Sequence, residues 1–576
     1  MAITRVLLVA ALLLLGALLL PAIEGGVAVP AAAEESFPVD CDPSDAPHAL
    51  PAFPGAQGFG RYARGGRGGR VIAVTTLADA GPGSLRDCAE GSGARTCVFR
   101  VSGTIVLRDW IRVTQPFLTI AGQTSPGGIA LRNGASANAP MLVRTHDVVL
   151  RHFRLRPGAS PRASDNVDTI QISGGAHDVI LDHLSTSWPT DEGINIVGAG
   201  HETGRCGQTR NVTVQWSILA EGLNRANRGP HSRGTYFGYG AHAVTLHHNL
   251  IASNVRRNPL VNLRGQFDMI DNVIFNSVSY NAELYTRFGD LDVNAIGNSA
   301  IMGPSSEATT QLYLLNYFRD YPARFRIHLR GNLDVHRPED RGDERLVLEP
   351  GDWRYVSDAP VGTLSMVAGE IDDAGTAYRR IVAAVGATRP RRDSADARVV
   401  AGLVTCRGAV LDDPAQVGGW PALTGGAAPA DHDGDGIADD WEIAHGLSPT
   451  DPNDRNMLGG DGYTKLEAYL SELAGDRATV TVQPSLVPRP ACGRAIADPG
   501  PLPSIALSAD PAQLATGGAV TLRWSGENIR SCKLEGAGAG ETGARVVRVK
   551  ATRVYEIDCI GRHGGDAIDS VLVTVR

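Results

Sequence analysis

The sequence predicts an all-β solenoid, a parallel β-helix, over most of its length, and three observations carry that prediction. Short β-rich runs recur between polar, Gly-rich stretches: HDVVLRHFRLR from His146, HDVILDHLSTS from His177, NVTVQWSILAEG from Asn211, HAVTLHHNLIAS from His242, FDMIDNVIFNS from Phe267 and RIHLRGNLDV from Arg326. No helical pattern of about 10–15 residues separates these runs, so βαβ crossovers are not expected. Superposed, the runs place Phe153, Leu184, Ser217, Asn249, Asn272, Asn298 and Asn332 at one register, in steps of 23 to 34 residues. Units that cannot bury their own apolar faces do so by stacking, which is the logic of a solenoid. Asparagines sharing a register predict an internal amide ladder. A sandwich is the competing all-β reading, but its strands recur every 8–12 residues or so.

The rest of the chain divides by composition. Arg5, the fifteen-residue apolar run Val6–Leu20 and the small residues Ala31–Ala33 read as a secretory signal over 1–33. The run falls short of the roughly 20 residues a membrane helix needs. The β-helix is expected over 48–425, and a helix-containing EF-hand-like module over 428–475. A Pro-rich linker spans 476–503. Alternating residues over 504–576, with Trp524, suggest a small immunoglobulin-like sandwich. Eight cysteines in an exported chain predict disulfides. Cys88 with Cys97 and Cys532 with Cys559 are the near pairs, whereas Cys41, Cys206, Cys406 and Cys492 could join in three ways.

Composition excludes several functions. A net charge of −8 argues against a nucleic-acid or membrane-surface partner. Lys465, Lys533 and Lys550 are the chain's three lysines. Schiff-base and Walker-A chemistry, which need a lysine amine, are therefore excluded from the first 464 residues.

Two constellations point to a cation. Asp431, Asp433, Asp435, Gly436, Asp439 and Glu442 fit the twelve-residue EF-hand calcium loop, with Ile437 supplying the backbone carbonyl of position seven. No base or nucleophile accompanies this loop, so it reads as a structural clip. In the long domain, Asp168, Asp182–His183, Asp191–Glu192 and Asn195 form the second group. Asp191 and Asn195 share a face if the segment is a strand, and one coil could bring Asp168 beside them. Six arginines follow: Arg225, Arg228, Arg233, Arg256, Arg257 and Arg264. Guanidiniums beside a calcium-like site suit a polymer that carries carboxylates.

The motifs FPGAQGFGRYARGGRGG from Phe53, PGSLRDC, FRVSGTIVL and LTIAGQTSPGG closely resemble the start of secreted pectate lyases. VILDHLSTSWPTDE, NVTVQWSILAEGL, HHNLIASNVRRNP and DDPAQVGGWP follow the same pattern, so the resemblance covers about residues 53–423. It is strongest to the bacterial pectate trisaccharide-lyase branch. The resemblance implies a right-handed parallel β-helix that cleaves de-esterified polygalacturonate by calcium-assisted β-elimination. It places Asp168, Asp191 and Asn195 on calcium-ligand positions, the last commonly acidic in the family. Arg257 falls on the catalytic arginine, and Arg228 takes the place of a substrate-binding lysine. The usual second arginine is Asn262 here, for which Arg264 is the expected substitute. Asp182–His183 reads as structural. The implied partner is pectate, acted on by a monomer outside the cytoplasm, in the extracellular space or periplasm, with no nucleic acid and no membrane after signal cleavage. The rival readings are a non-catalytic pectin-binding or adhesion protein, and a β-helix hydrolase pairing Asp182 with Asp191.

Overall fold

The computed structural model describes residues 50–134, 136, 138–159, 167–199, 208–226, 229–306, 311–316, 323–492, 503–562 and 566–575. The expected leader, Cys41, Cys206 and Arg228 lie outside the described residues. Among the described residues no helix is long and apolar enough to cross a membrane.

Three parallel sheets, of eleven, eight and eight strands, form a right-handed parallel β-helix. The strands are β-branched and alternate, so every second side chain turns inward. Val148, Val179, Val212, Val244, Phe267, Val293 and Ile327 stand in one register across successive coils, and all are fully buried. Each such side chain contributes about 1.5–3 kcal/mol by leaving water.

The expected ladder is present. Asn249 Nδ2 donates to Asn272 Oδ1 at 3.0 Å, Asn272 Nδ2 to Asn298 Oδ1 at 2.9 Å, and Asn298 Nδ2 to Asn332 Oδ1 at 3.1 Å. Ser217 continues it, its backbone N–H donating to Asn249 Oδ1 at 2.8 Å. Each amide also donates to a backbone carbonyl, Asn249 and Asn272 to His247 O and Ile270 O of their own turns and Asn298 and Asn332 to Met269 O and Ala295 O of the preceding coil, so buried polar groups at the bend are paired.

The Gly/Arg tract lies as a strap on the outer face of the eleven-stranded sheet. Phe59, Gly60 and Gly66 N–H groups donate to Thr245, Thr213 and Thr119 hydroxyls. Glycine is needed for that approach: a Cβ on Gly60 would lie 2.2 Å from the carbonyl oxygen of Val179.

After Asn332 the chain adds one partial coil, with Leu333 and Leu348 bridging to the preceding coil and Val356–Ser357 closing the eleven-stranded sheet. Past Ser357 it stops coiling and departs from the expected repeat. It forms two helices, α1 (Ala374–Ala384) and α2 (Ser394–Thr405), capped by Asp373 and Asp393 side chains. Ile381, Val399 and Leu403 pack on Leu250 and Phe275 of the solenoid. Two further helices, α3 (Asp439–Ala444) and α4 (Lys465–Ala474), dock by Ile437, Leu466 and Leu470 onto Val71 and Ala121. The described start of the expected linker is tied down: Cys492 is bonded to Cys406, and Met302 N–H donates to Pro490 O at 2.7 Å. Cys88–Cys97 and Cys532–Cys559 are also joined.

The last segment forms a three-stranded and a five-stranded sheet around Leu522, Trp524, Leu534 and Ile557. It touches the solenoid region through Arg354, which pairs with Asp569 and donates to Ser570 Oγ at 3.3 Å.

Candidate active site

Five strands of one eight-stranded sheet position the site: β1 (Ile170–Ile172), β2 (Ile194–Val197), β3 (Thr235–Gly238), β4 (Leu260–Val261) and β5 (Ala282–Tyr285). They are consecutive neighbours in that sheet. The turns entering them bring together residues far apart in sequence. Asp168 enters β1, Asp191 and Glu192 enter β2, His231 and Arg233 enter β3, and Arg256 and Arg257 enter β4. Glu283 lies on β5.

Asp168, Asp191 and Glu192 place carboxylate oxygens within 4.8 Å of one another. Asp168 accepts from the Glu192 N–H at 3.0 Å and from Asn195 Nδ2 at 2.9 Å. Asn195 Oδ1 is buried without a hydrogen-bond partner. Burial, and then the neighbouring Asp191 charge, push Asp168 up to about 7. Burial and the charges of Asp168 and Asp191 likewise raise Glu192 well above the usual carboxylate range. Burial pushes Asp191 the same way, but hydrogen bonding, led by His231 at 2.8 Å, holds it below its ordinary value. Three crowded carboxylates and a free amide oxygen make an all-oxygen donor set of the kind a hard divalent cation takes.

Arg257 faces this cluster. Its Nη1 is paired with Glu192 Oε1, and its backbone N–H donates to Glu283 Oε1 at 2.9 Å. Its guanidinium lies 5.7 Å from the centre of the Tyr236 ring. Burial would lower its proton affinity, but the Glu192 carboxylate outweighs burial and raises it. Arg233 shows the reverse balance. Burial, Arg257 and Arg256 depress it against the pull of Glu192 and Asp191. The site thus sets a cluster of carboxylates against a group of guanidiniums.

The structure brings Asp168, Asp191, Asn195 and Arg257 into one group. Arg264 is not among them: it is exposed, its stem against Gly289, with no hydrogen bond to the carboxylates among the described residues. Asn262 is buried and accepts from the Arg287 N–H at 3.1 Å. Asp182 lies on a different sheet and is fully engaged by Arg151, His183 and Gln215, at 2.8, 2.8 and 2.7 Å. It cannot pair with Asp191 across a water, which removes the hydrolase arrangement. His231, Tyr236 and Glu283 were not anticipated. Their signal lay in the register of this second sheet, whereas the alignment of runs followed the first.

In the EF-hand-like loop, Asp431, Asp433 and Asp435 converge, and Glu442 joins Asp435. Asp439 does not join them, because its oxygens are taken by the backbone N–H and ring of His432. Ile437 is fully buried, its N–H donating to Asp435 Oδ1 at 2.8 Å.

No family model matches the chain. Among known structures it is similar to a pectate lyase bound to a hexasaccharide, with a TM-score of 0.40, 13% identity, and coverage of 60% of this chain and 99% of that one. Similarity to the probable pectate lyase C of Aspergillus terreus is much closer, at 36% identity over 439 residues, 74% of this chain and 94% of that protein. The probable pectate lyase C of Neosartorya fischeri is 34% identical over 450 residues, 75% of this chain and 95% of its own length. By that identity, sustained over nearly the whole of these relatives, the chain belongs to the pectate lyase family of polysaccharide lyases.

Proposed function

We propose that this protein cleaves de-esterified polygalacturonate by β-elimination, with calcium held by Asp168, Asp191, Glu192 and Asn195 and with Arg257 acting at the reacting carbon. The observation that carries this reading is the Arg257–Glu192 pair, which sets a guanidinium against a crowded carboxylate cluster.

The reaction removes the C5 proton of a uronate, forms the C4–C5 double bond and breaks the C4–oxygen bond, whose oxygen then takes up a proton. Calcium held by these residues would polarise the uronate carboxylate and so acidify the C5 hydrogen. The residues of the chain divide the remaining work. Arg233 offers a second cation to a substrate carboxylate, at a position where its own neighbours repel it. Arg257, fully charged while paired with Glu192, stabilises the enediolate that forms as the proton leaves. For Arg257 to take that proton itself, the Glu192 pairing that holds its own proton must be lost. Arg228 and Arg264 remain candidates for contacts to sugar units further along the polymer.

Within the family we place the chain beside the bacterial pectate trisaccharide lyases, on the motifs from Phe53 to Pro421. We read it as an exported monomer, with the run after Arg5 as its signal and the last two sheets as an immunoglobulin-like appendage. Ultraviolet absorbance of an unsaturated uronate product, formed from polygalacturonate and abolished by chelator, tests the reading. Cleavage without an unsaturated product would overturn it.

A further inference from the structure

The acidic loop at 431–442 is completed by a residue outside it. Asp454 opens a turn of 3-10 helix, Asp454–Asn456, and its Oδ2 accepts from the Ser448 N–H at 2.8 Å. Its other oxygen is buried without a hydrogen-bond partner. Asp435, Glu442 and Asp454 bring carboxylate oxygens within 4.8 Å of one another, as do Asp431, Asp433 and Asp435, so Asp435 is common to both groups.

A second observation concerns what these oxygens lack. Asp433 Oδ2, Asp435 Oδ2, both oxygens of Glu442 and Asp454 Oδ1 are all buried with no hydrogen-bond partner. Asp435 and Glu442 are completely covered. Among the described residues the ion pair made to this cluster is Arg100 to Asp431 Oδ2, at 3.5 Å. One guanidinium at the rim cannot balance five carboxylates. Buried, unpaired charge of one sign is strongly unfavourable unless a cation occupies the centre.

We propose that Asp431, Asp433, Asp435, Glu442 and Asp454 form a calcium site separate from the Asp168 cluster, with Asp454 serving where the loop pattern alone points to Asp439. Six to eight oxygen ligands at flexible angles suit calcium better than magnesium, which needs strict octahedral geometry and retains water. Because Asp454 comes from the following segment, the ion ties residues 431–442 to 448–456. That tie reaches the solenoid. Ile437 and Ala438, within the loop, pack with Leu466, Tyr469 and Leu470 against Val71 and Ala121. Just beyond α4, Asp476 is paired with the buried Arg151 of the eleven-stranded sheet. The site therefore fastens the helical segment onto the early coils.

The test uses the full chain, stripped with chelator, reloaded with calcium alone and passed through a desalting column. Bound calcium is measured by elemental analysis and the thermal midpoint by calorimetry. Asp454→Asn and Glu442→Gln should each lose one calcium per chain and the associated rise in midpoint. Asp439→Asn should keep both, and Asp191→Asn should lose a different calcium while keeping the rise. Retention by Asp454→Asn, or loss by Asp439→Asn, would overturn the assignment. Limited proteolysis of the unsubstituted chain provides a test that no folding defect can obscure. Segment 431–456 should be cut in chelator and protected in calcium, and cutting unaffected by calcium would reject the site.

Discussion

The guanidinium of Arg257 is ion-paired with the carboxylate of Glu192, 65 residues earlier in the chain and on another turn of the solenoid. Glu192 is also one of the three crowded carboxylates, with Asp168 and Asp191. One side chain therefore links the cation-binding group to the candidate catalytic arginine. Whatever draws Glu192 toward a cation loosens its hold on Arg257.

The first prediction tests that arginine. Arg257→Lys keeps a positive charge but loses the planar fork that reaches Glu192 and lies near Tyr236. If Arg257 acts in the transition state, kcat should fall on the order of a hundredfold or more while KM changes little. Steady-state kinetics at saturating calcium, with folding verified by circular dichroism, decide it. Near-native kcat would move the chemistry to another group.

The second prediction concerns pH. Burial and Asp191 raise Asp168 to about 7, and Glu192 is raised as well. In the cation-free site Asp168 therefore carries a proton below about pH 7, and a cation must displace it. The calcium needed for half-maximal rate should rise as pH falls, by roughly tenfold per pH unit for each proton displaced. Initial rates across calcium concentrations between about pH 6 and pH 9 measure this. A calcium requirement that stays flat over that range would contradict it.

Not all of this was equally legible in the sequence. The Asn ladder could be read because its members recur at one register of long, regular strands, from Asn249 to Asn332. Asp168, Asp191 and Asn195 could be found because a single coil separates them. The Arg257–Glu192 pair could not, since it depends on a second sheet whose entering turns differ in length from coil to coil. Helices α1 and α2 were hidden for another reason. Their apolar faces answer to the outer surface of the solenoid, not to its repeat. Asp439 matched a loop pattern, but His432, an intervening residue on which the pattern is silent, claims its oxygens.

The third prediction removes one rung of the ladder. Asn272 is fully buried and donates to Leu246 O, Ile270 O and Asn298 Oδ1, at 2.7, 3.0 and 2.9 Å. Its Oδ1 accepts from the backbone and side chain of Asn249. Asn272→Ala strands these groups in an apolar interior, at about 1–3 kcal/mol for each one left unpaired. The thermal midpoint should drop by several degrees. A midpoint within a degree or so of the original would mean that the ladder adds little to stability.

The last prediction separates the terminal sheets from catalysis. Residues 504–575 enclose their own core around Trp524 and Ile557. They meet the solenoid region at the turn Pro350–Tyr355, where the exposed Arg354 is paired with Asp569 and bonded to Ser570. None of the groups near Asp168 comes from this segment. A chain ending at residue 502 should therefore keep its kcat on soluble polygalacturonate. One ending at residue 480 should not be equivalent, because it also discards Cys492, the partner of Cys406, and the Pro490 carbonyl bonded to Met302. The shorter chain should melt lower even though its active-site residues are intact. Equal midpoints would show that segment 481–492 adds nothing to the solenoid. Loss of kcat in a folded chain ending at 502 would show that the terminal sheets complete the site after all.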